Sequence, residues 1–446
     1  MISPTDKNMR DMWQLMKGLF PIYRSLAGSG FLESIKKVQK HLPIVINEFA
    51  SGAKVFDWVI PKEFKVNSSY VIDPNGKKIF DFNECSYHLY IYSQPFHGEM
   101  EREELIKHIA TSTVLPDAIP LCATYYRKKW GICASQKQVA ALPKGRYKVH
   151  IDTEHIDGAL CIGEYLLPGE TKEEILITSY LCHPLGANDN LSGVVVATEL
   201  FKMLSQLPKL HYSYRLAIWP ETIGSITYIH NYPQRLKHTL GGYALYCLGD
   251  DESGLFHYYC SYQGCSLLDR VMIYALKQSG YKYVVLSKPS IYSDDRQFNG
   301  SGLRIPFGVL TRTPPGQFSA YHTSYDDLKY IKQEILFKSL QIYWRALMTL
   351  EKNRIYKGNF KVEPFLTRHG IFPFDLGLGE GTARLTNKDA GNIADAFYYL
   401  MWGVDGKMDL LDIAEKAGID IDFFDRAVKE FLRAGLMEAV SKKRNH

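Results

Sequence analysis

The sequence lacks most of the features that mark specialised protein classes. Its eight cysteines, at positions 85, 122, 133, 161, 182, 247, 260 and 265, form no Cys-x-x-Cys pair. That excludes a zinc ribbon, and the scatter fits reduced, mostly buried thiols better than a disulfide frame. No apolar run approaches the ~20 residues needed to cross a bilayer. Met1 to Met16 does not carry the charged-then-apolar pattern of a secretory signal. A cytoplasmic protein with no membrane partner is the resulting expectation. Internal repeats and low-complexity tracts are absent too. The formal charge of +5 over 446 residues is too small and too evenly spread to argue for nucleic acid.

What remains is an ordinary folded composition, 46% hydrophobic and 23% charged, in a chain long enough for two or three domains. Residues 8–41 read as two amphipathic helical runs, the first carrying Met9, Met12, Trp13, Leu15, Met16 and Leu19. From about 54 to 160 the pattern turns to short strands: Val55–Ile60, Tyr70–Ile72, Lys78–Phe82, Tyr87–Tyr92 and Arg146–Ile151. Asp73-Pro-Asn-Gly76 is a turn between two of them, and Glu101–Ala110 is a helix. Strands and helices alternate from 160 to 352, the signature of an α/β sheet with helices on both faces. The strands are Ile175–Thr178, Tyr214–Trp219, Tyr243–Leu248 and Ile305–Leu310; the helices are 192–206, 223–232, 265–279 and 332–352. Leu366–Thr386 is rich in Gly and Pro and should be irregular. Helices at 388–402, 408–417 and 422–434, then a strand at Leu436–Val440, suggest a winged-helix module.

Three strand ends in the α/β part carry the polar residues of interest. Ile175–Ile177 leads into Cys182-His-Pro-Leu-Gly-Ala-Asn-Asp-Asn-Leu-Ser-Gly193, where His183 and Asp189 sit in a strand-to-helix turn. Carboxyl ends of strands are where α/β enzymes place their ligands, and imidazole with carboxylate suits a metal. The plain alternative is that Asp189 or Asn190 caps the helix and His183 packs on the turn. Glu221 follows the strand 214–219, where a carboxylate can take a proton from activated water or simply cap a helix. His322 lies in Phe318-Ser-Ala-Tyr-His-Thr-Ser-Tyr-Asp-Asp327, after the strand 305–310. Together, His183, Asp189 and His322 have the composition of a three-ligand catalytic zinc site, with Glu221 as its base.

Asn188-Asp-Asn-Leu-Ser-Gly193, Glu221-Thr-Ile-Gly-Ser225 and Tyr321-His-Thr-Ser-Tyr-Asp326 resemble the three signature turns of the zinc aminopeptidases, a family that also holds glutamate carboxypeptidase and glutaminyl cyclase. A nearer resemblance is to the bacterial aminopeptidase-like proteins of polysaccharide biosynthesis clusters. It rests on Cys182-His183-Pro184, Tyr292-Ser-Asp-Asp-Arg-Gln-Phe298, Tyr125-Tyr-Arg-Lys-Lys-Trp-Gly131, Pro95-Phe-His-Gly98 and the C-terminal module. The resemblance implies a zinc-peptidase-like mixed sheet over 1–59 and 161–355, an inserted β-rich domain over 60–160 and a winged helix over 360–446. It puts Asp189 in the metal-bridging role, Glu221 as general base and His322 as a ligand. Two-zinc members carry a second ligand Glu where this chain has Thr222. They also carry a ligand Asp near Leu245–Asp251, where Cys247 or Asp250 stands here. One zinc, held by His183, Asp189 and His322, is therefore expected.

Arg296 has the fork to grip a substrate carboxylate, with an ion pair to Asp294 or Asp295 as the alternative. The implied activity is hydrolysis of an amide or peptide bond in a small-molecule or peptide substrate. The alternatives are a catalytically idle binding protein and a ligand-sensing regulator. In helix 422–434, Arg426, Lys429 and Arg433 are offset by Asp422, Asp425 and Glu430, over a stripe of Phe424, Val428 and Leu432. That balance, even with Lys442, Lys443 and Arg444 following, favours packing or formation of a homo-oligomer over DNA binding.

Overall fold

The computed structural model describes residues 2–372 and 388–440. Most of the irregular stretch expected at Leu366–Thr386, and the basic residues Lys442, Lys443 and Arg444, lie outside the described residues. The chain divides into two compact units, Met1–Trp344 and Arg345–His446.

The first unit is built on an eight-stranded mixed sheet. In chain order its strands are β1 (Val45–Ala50), β2 (Ala159–Leu167), β3 (Glu174–Tyr180), β4 (Ser213–Trp219), β5 (Thr239–Ala244), β6 (Phe256–Tyr259), β7 (Tyr283–Leu286) and β8 (Phe307–Thr311). In space they run β1-β2-β4-β3-β5-β8-β6-β7. The central four, β4-β3-β5-β8, are mutually parallel, so their carboxyl ends share one edge. Antiparallel pairing of β1 with β2, β2 with β4 and β6 with β8 makes the sheet mixed. All seven residues of β3 are buried, as expected of a parallel strand covered on both faces. Helix Ser192–Leu204, buried along almost its whole length, supplies part of that cover, and helix Asp6–Leu19 packs on it in turn.

The segment between β1 and β2 forms its own four-stranded antiparallel sheet, in the order Lys78–Ile79, Glu63–Ile72, Arg146–Ile156, Phe96–Glu101. The turn at Asp73–Gly76 is present, with Asp73 Oδ1 accepting from the Asn75 and Lys77 amides at 2.9 and 2.8 Å. The strand expected at Tyr87–Tyr92 is instead a short 3₁₀ turn, Ser86–His88, followed by isolated bridges. Both sides of this run are covered: Tyr87, His88, Leu89, Ile91 and Tyr92 are all buried. The helix expected at Glu101–Ala110 is shorter, Arg102–Lys107, and gives way to the strand Ile109–Ala110. The strand expected at Tyr243–Leu248 ends at Ala244, and the chain beyond it bends into the site region.

The second unit contains the helices Lys388–Gly403, Leu410–Ala417 and Phe424–Arg433 and a three-stranded antiparallel sheet of Asp405–Asp409, Ile355–Gly358 and Met437–Ala439. The buried stripe of the last helix is Phe424, Ala427 and Phe431, not Phe424, Val428 and Leu432. The phase differs because Asp422 and Asp425 turn toward Lys352, which donates to them at 2.6 and 2.7 Å, leaving Leu432 outward. Among the described residues no helix is long and apolar enough to cross a membrane.

Candidate metal centre

The turn after β3 is held open by its neighbours rather than by helix geometry. Asp189 and Asn190 have non-helical backbone angles within it, and the peptide bond between them is cis. Each residue flanking Asp189 has a mechanical task. Asn188 donates to Asp250 Oδ2 at 3.0 Å and accepts from the Gly249 amide at 2.9 Å. Asn190 accepts from the Cys247 and Gly193 amides, both within 3.3 Å, and donates to Ser179 Oγ at 3.0 Å. Ser192 Oγ donates to the Asn188 carbonyl at 2.6 Å and accepts from the Leu248 amide at 2.9 Å. Gly193 must be glycine, because a Cβ there would lie 2.2 Å from the Leu245 carbonyl oxygen. The Asn-Asp-Asn-x-Ser-Gly pattern thus staples the turn to the chain leaving β5 and leaves the Asp189 side chain free to face the site.

From the far side comes Asp326, which accepts the Asn188 amide on Oδ1 at 2.6 Å and the Asp189 amide on Oδ2 at 2.9 Å. Burial, with the Asp189 charge adding to it, pushes the Asp326 carboxyl up to about 8. The same loop carries His322, stacked on the Tyr321 ring at 3.9 Å between centroids. Residues of the insert clamp this loop. The Leu121 amide donates to the His322 carbonyl at 2.7 Å, and the Ile119 amide donates to Ser324 Oγ at 3.0 Å.

Three expected ligands therefore meet. Asp189 Oδ2 lies 3.1 Å from His322 Nε2, and Asp189 Oδ1 lies 3.5 Å from His183 Nδ1. One ligand atom from each of the three residues can be chosen so that all lie within 4.8 Å of one another, a group that could hold a metal ion. His183 Nδ1 is buried with no hydrogen-bond partner, an orphan that a metal would satisfy. Burial alone would discharge His183, but the Asp189 carboxylate outweighs it and pushes the imidazole up to about 9. Burial likewise works against an ionised Asp189, yet His183 and His322 hold its carboxyl well below the usual range. Tyr180 donates its hydroxyl to Asp189 Oδ1 in a short hydrogen bond. A buried site that draws a proton onto a histidine offers the electrostatic environment that a divalent cation would neutralise.

Glu221 stands across His183 from Asp189, with Oε2 3.8 Å from His183 Nε2. Its other oxygen accepts from Ser293 Oγ at 2.8 Å, and its amide faces Cys182 Sγ at 3.4 Å. Burial is the main cause that lifts its carboxyl to about 7, against the pull of His183. The turn that carries Glu221 is braced by Asp294, which accepts from Trp219 Nε1, the Thr222 amide and Ser225 Oγ at 2.9, 2.7 and 2.6 Å. Arg296 donates to the Thr222 hydroxyl at 2.9 Å and the Ile291 carbonyl at 3.2 Å. Those contacts replace the ion pair weighed from the sequence, since the Asp294 oxygens are already taken up by the Glu221 turn.

Among the described residues, the groups with metal-ligand spacing are His183–Asp189–His322 and Cys182–His183–Glu221. Neither includes Cys247 or Asp250. Asp250 is fully buried and spent on Asn188, Glu252 and Thr313, while the Cys247 amide holds Asn190. Sequence reasoning missed Asp294, Ser293 and the insert segment 119–126. The signals in the sequence were the acidic pair within Ser293-Asp-Asp-Arg296 and the run Tyr125–Gly131.

Residues 13–353 match the family model described as "Domain of unknown function (DUF4910)". The chain belongs to the DUF4910 family. A Clostridium acetobutylicum protein named "Putative polysaccharide biosynthesis protein with aminopeptidase-like domain" is 37% identical over 431 residues, 96% of each chain. The crystal structure of a "putative peptidase" from C. acetobutylicum superposes with a TM-score of 0.87 at 36% identity, covering 97% of both chains. A zinc aminopeptidase from Bacillus subtilis shares the fold, with a TM-score of 0.56 at 14% identity over 77% of this chain and 94% of its own. The α/β unit is thus aminopeptidase-like.

Proposed function

We propose that this DUF4910 protein is a zinc-dependent hydrolase of an amide bond. One zinc would be held by His183, Asp189 and His322, and Glu221 would be the general base. The observation that carries the reading is the convergence of those three ligands with Glu221 at the carboxyl ends of the parallel strands, around an imidazole nitrogen with no other partner. Zinc in such a site supplies Lewis acidity to water and to the carbonyl under attack.

The remaining chemistry belongs to the protein. Glu221, lifted toward neutrality by burial, takes the proton of the attacking water and returns it to the departing nitrogen. A C–O bond forms and the C–N bond breaks, giving a carboxylate and an amine. Ser293 holds Glu221 Oε1, which leaves Oε2 for the transfer. Tyr180 and Asp326 hold the Asp189 side chain and backbone in place.

The relative's name makes a role in polysaccharide biosynthesis the natural setting. The second unit we read as a winged helix kept for packing, because Arg345 and Lys352 neutralise Asp420, Asp422 and Asp425 within it.

The test pairs zinc analysis of purified protein with amide hydrolysis by wild type and Glu221→Gln. Stoichiometric zinc with Glu221-dependent cleavage supports the reading. Zinc without cleavage of any amide would make the chain a non-catalytic binding protein on the same fold.

A further inference from the structure

A cavity of about 530 Å³ opens beside Glu221. That is within the ~300–1,000 Å³ range of small-molecule sites. Trp58, Tyr125, Tyr126, Arg127 and Arg296 line it with Glu221, which is the single carboxylate in the lining. Trp58 and Tyr126 meet edge to face, 6.2 Å between centroids, and both present exposed ring surface. Tyr126 donates its hydroxyl to the Val59 carbonyl at 2.9 Å, which fixes its ring against the hairpin that carries Trp58.

Among the described residues no carboxylate pairs with Arg127 or Arg296. Arg296 spends two donors, on Thr222 and Ile291, of the five a guanidinium has. The charge of Asp294 is felt nearby, but its oxygens are committed to Trp219, Thr222 and Ser225. A substrate in this cavity meets two cations and two aromatic rings beside Glu221. An ammonium group would be repelled by that wall. A carboxylate or phosphoryl group would find the planar fork that both anions fit.

We infer that the amide substrate is an anion: it carries a carboxylate or phosphoryl group received by Arg127 and Arg296, beside a ring that lies on Trp58 and Tyr126. An N-acylated sugar acid or sugar phosphate has both features. The inference rests on the reading of the site as an amide hydrolase, and the two fail differently.

Binding of N-acetylneuraminate (carboxylate), N-acetylglucosamine 1-phosphate (phosphoryl), neutral N-acetylglucosamine and cationic leucinamide is measured calorimetrically. Zinc-loaded Glu221→Gln protein is used, so that turnover does not enter. At least one anionic probe should bind about tenfold more tightly than the neutral sugar, and leucinamide should bind weakest. Arg127→Gln and Arg296→Gln should each erase most of that preference, and Arg296→Lys should keep part of it. Which anion wins identifies the group. Equal affinity for anionic and neutral probes, tighter leucinamide binding, binding of none of the four, or an unchanged preference in both glutamine variants would overturn the inference. Charge-selective binding in a wild type that cleaves no amide would sink the hydrolase reading alone.

Discussion

The two walls of the candidate site are built by opposite means. On the metal side Asp189, Asn188, Asn190 and Asp326 are all buried, and almost every polar atom has an assigned partner. On the cavity side Trp58, Tyr126, Arg127 and Arg296 are exposed and keep donors or ring faces to spare. The first wall comes from strand ends of the central sheet. Most of the second comes from the hairpin and insert between β1 and β2, together with the loop that carries Arg296. A rigid wall fixes reacting groups to within fractions of an ångström, while a wall of exposed side chains can be altered without unfolding the sheet. The contrast assigns chemistry to one side and substrate choice to the other.

Substitutions on the two sides should therefore differ in kind and in size. The largest effect is expected for Glu221→Gln. It should lower kcat/KM by ~10²–10⁴ in steady-state assays while zinc content stays at the wild-type level. Next comes Asp326→Ala, which leaves the Asn188 and Asp189 amides without their acceptor. Equilibrium unfolding should show a loss of about 1–3 kcal/mol per orphaned amide, and metal titration a roughly 10–100-fold weaker zinc affinity. Gly193→Ala forces a Cβ against the Leu245 carbonyl and should cost ~1–3 kcal/mol in the same unfolding experiment.

A smaller effect should appear in the pH dependence of metal-free protein. The Glu221 carboxyl is raised in the fold from its ordinary 4.5 to about 7. Its contribution to stability is then fully present below 4.5 and lost as the pH rises through about 7. Thermal melts of the chelator-treated protein should show Glu221→Gln gaining on wild type across that window. The smallest expected effect is that of Arg127→Gln, which should change unfolding stability by no more than ~0.5 kcal/mol, because the side chain is exposed. A large loss of stability there would erase the contrast between the walls.

The same contrast explains how much was legible in the sequence. His183 and Asp189 sit in a turn of compact pattern, with Gly193 at a close approach and Asn188 and Asn190 as staples, and Glu221 and His322 sit in short polar turns of their own. Such turns can be read from a few consecutive letters. The braces were not legible, because Asp294 reaches the Glu221 turn from 72 residues away, and Leu121 reaches His322 from the insert. The central strands β3 and β4 announced themselves as apolar runs. Edge strands β1 and β7 did not, because part of each faces outward, as in the run Tyr283-Val-Val-Leu286 with two exposed residues.

The central claim is that His183, Asp189 and His322 hold a single zinc. Diffraction from crystals of the purified protein, recorded on both sides of the zinc absorption edge, tests it most directly. We predict one anomalous peak per chain, about 2.0–2.2 Å from a nitrogen of each histidine and an oxygen of Asp189, and no peak in His322→Ala crystals. No peak in wild-type crystals grown with zinc, or a wild-type peak that bypasses Asp189, would contradict it.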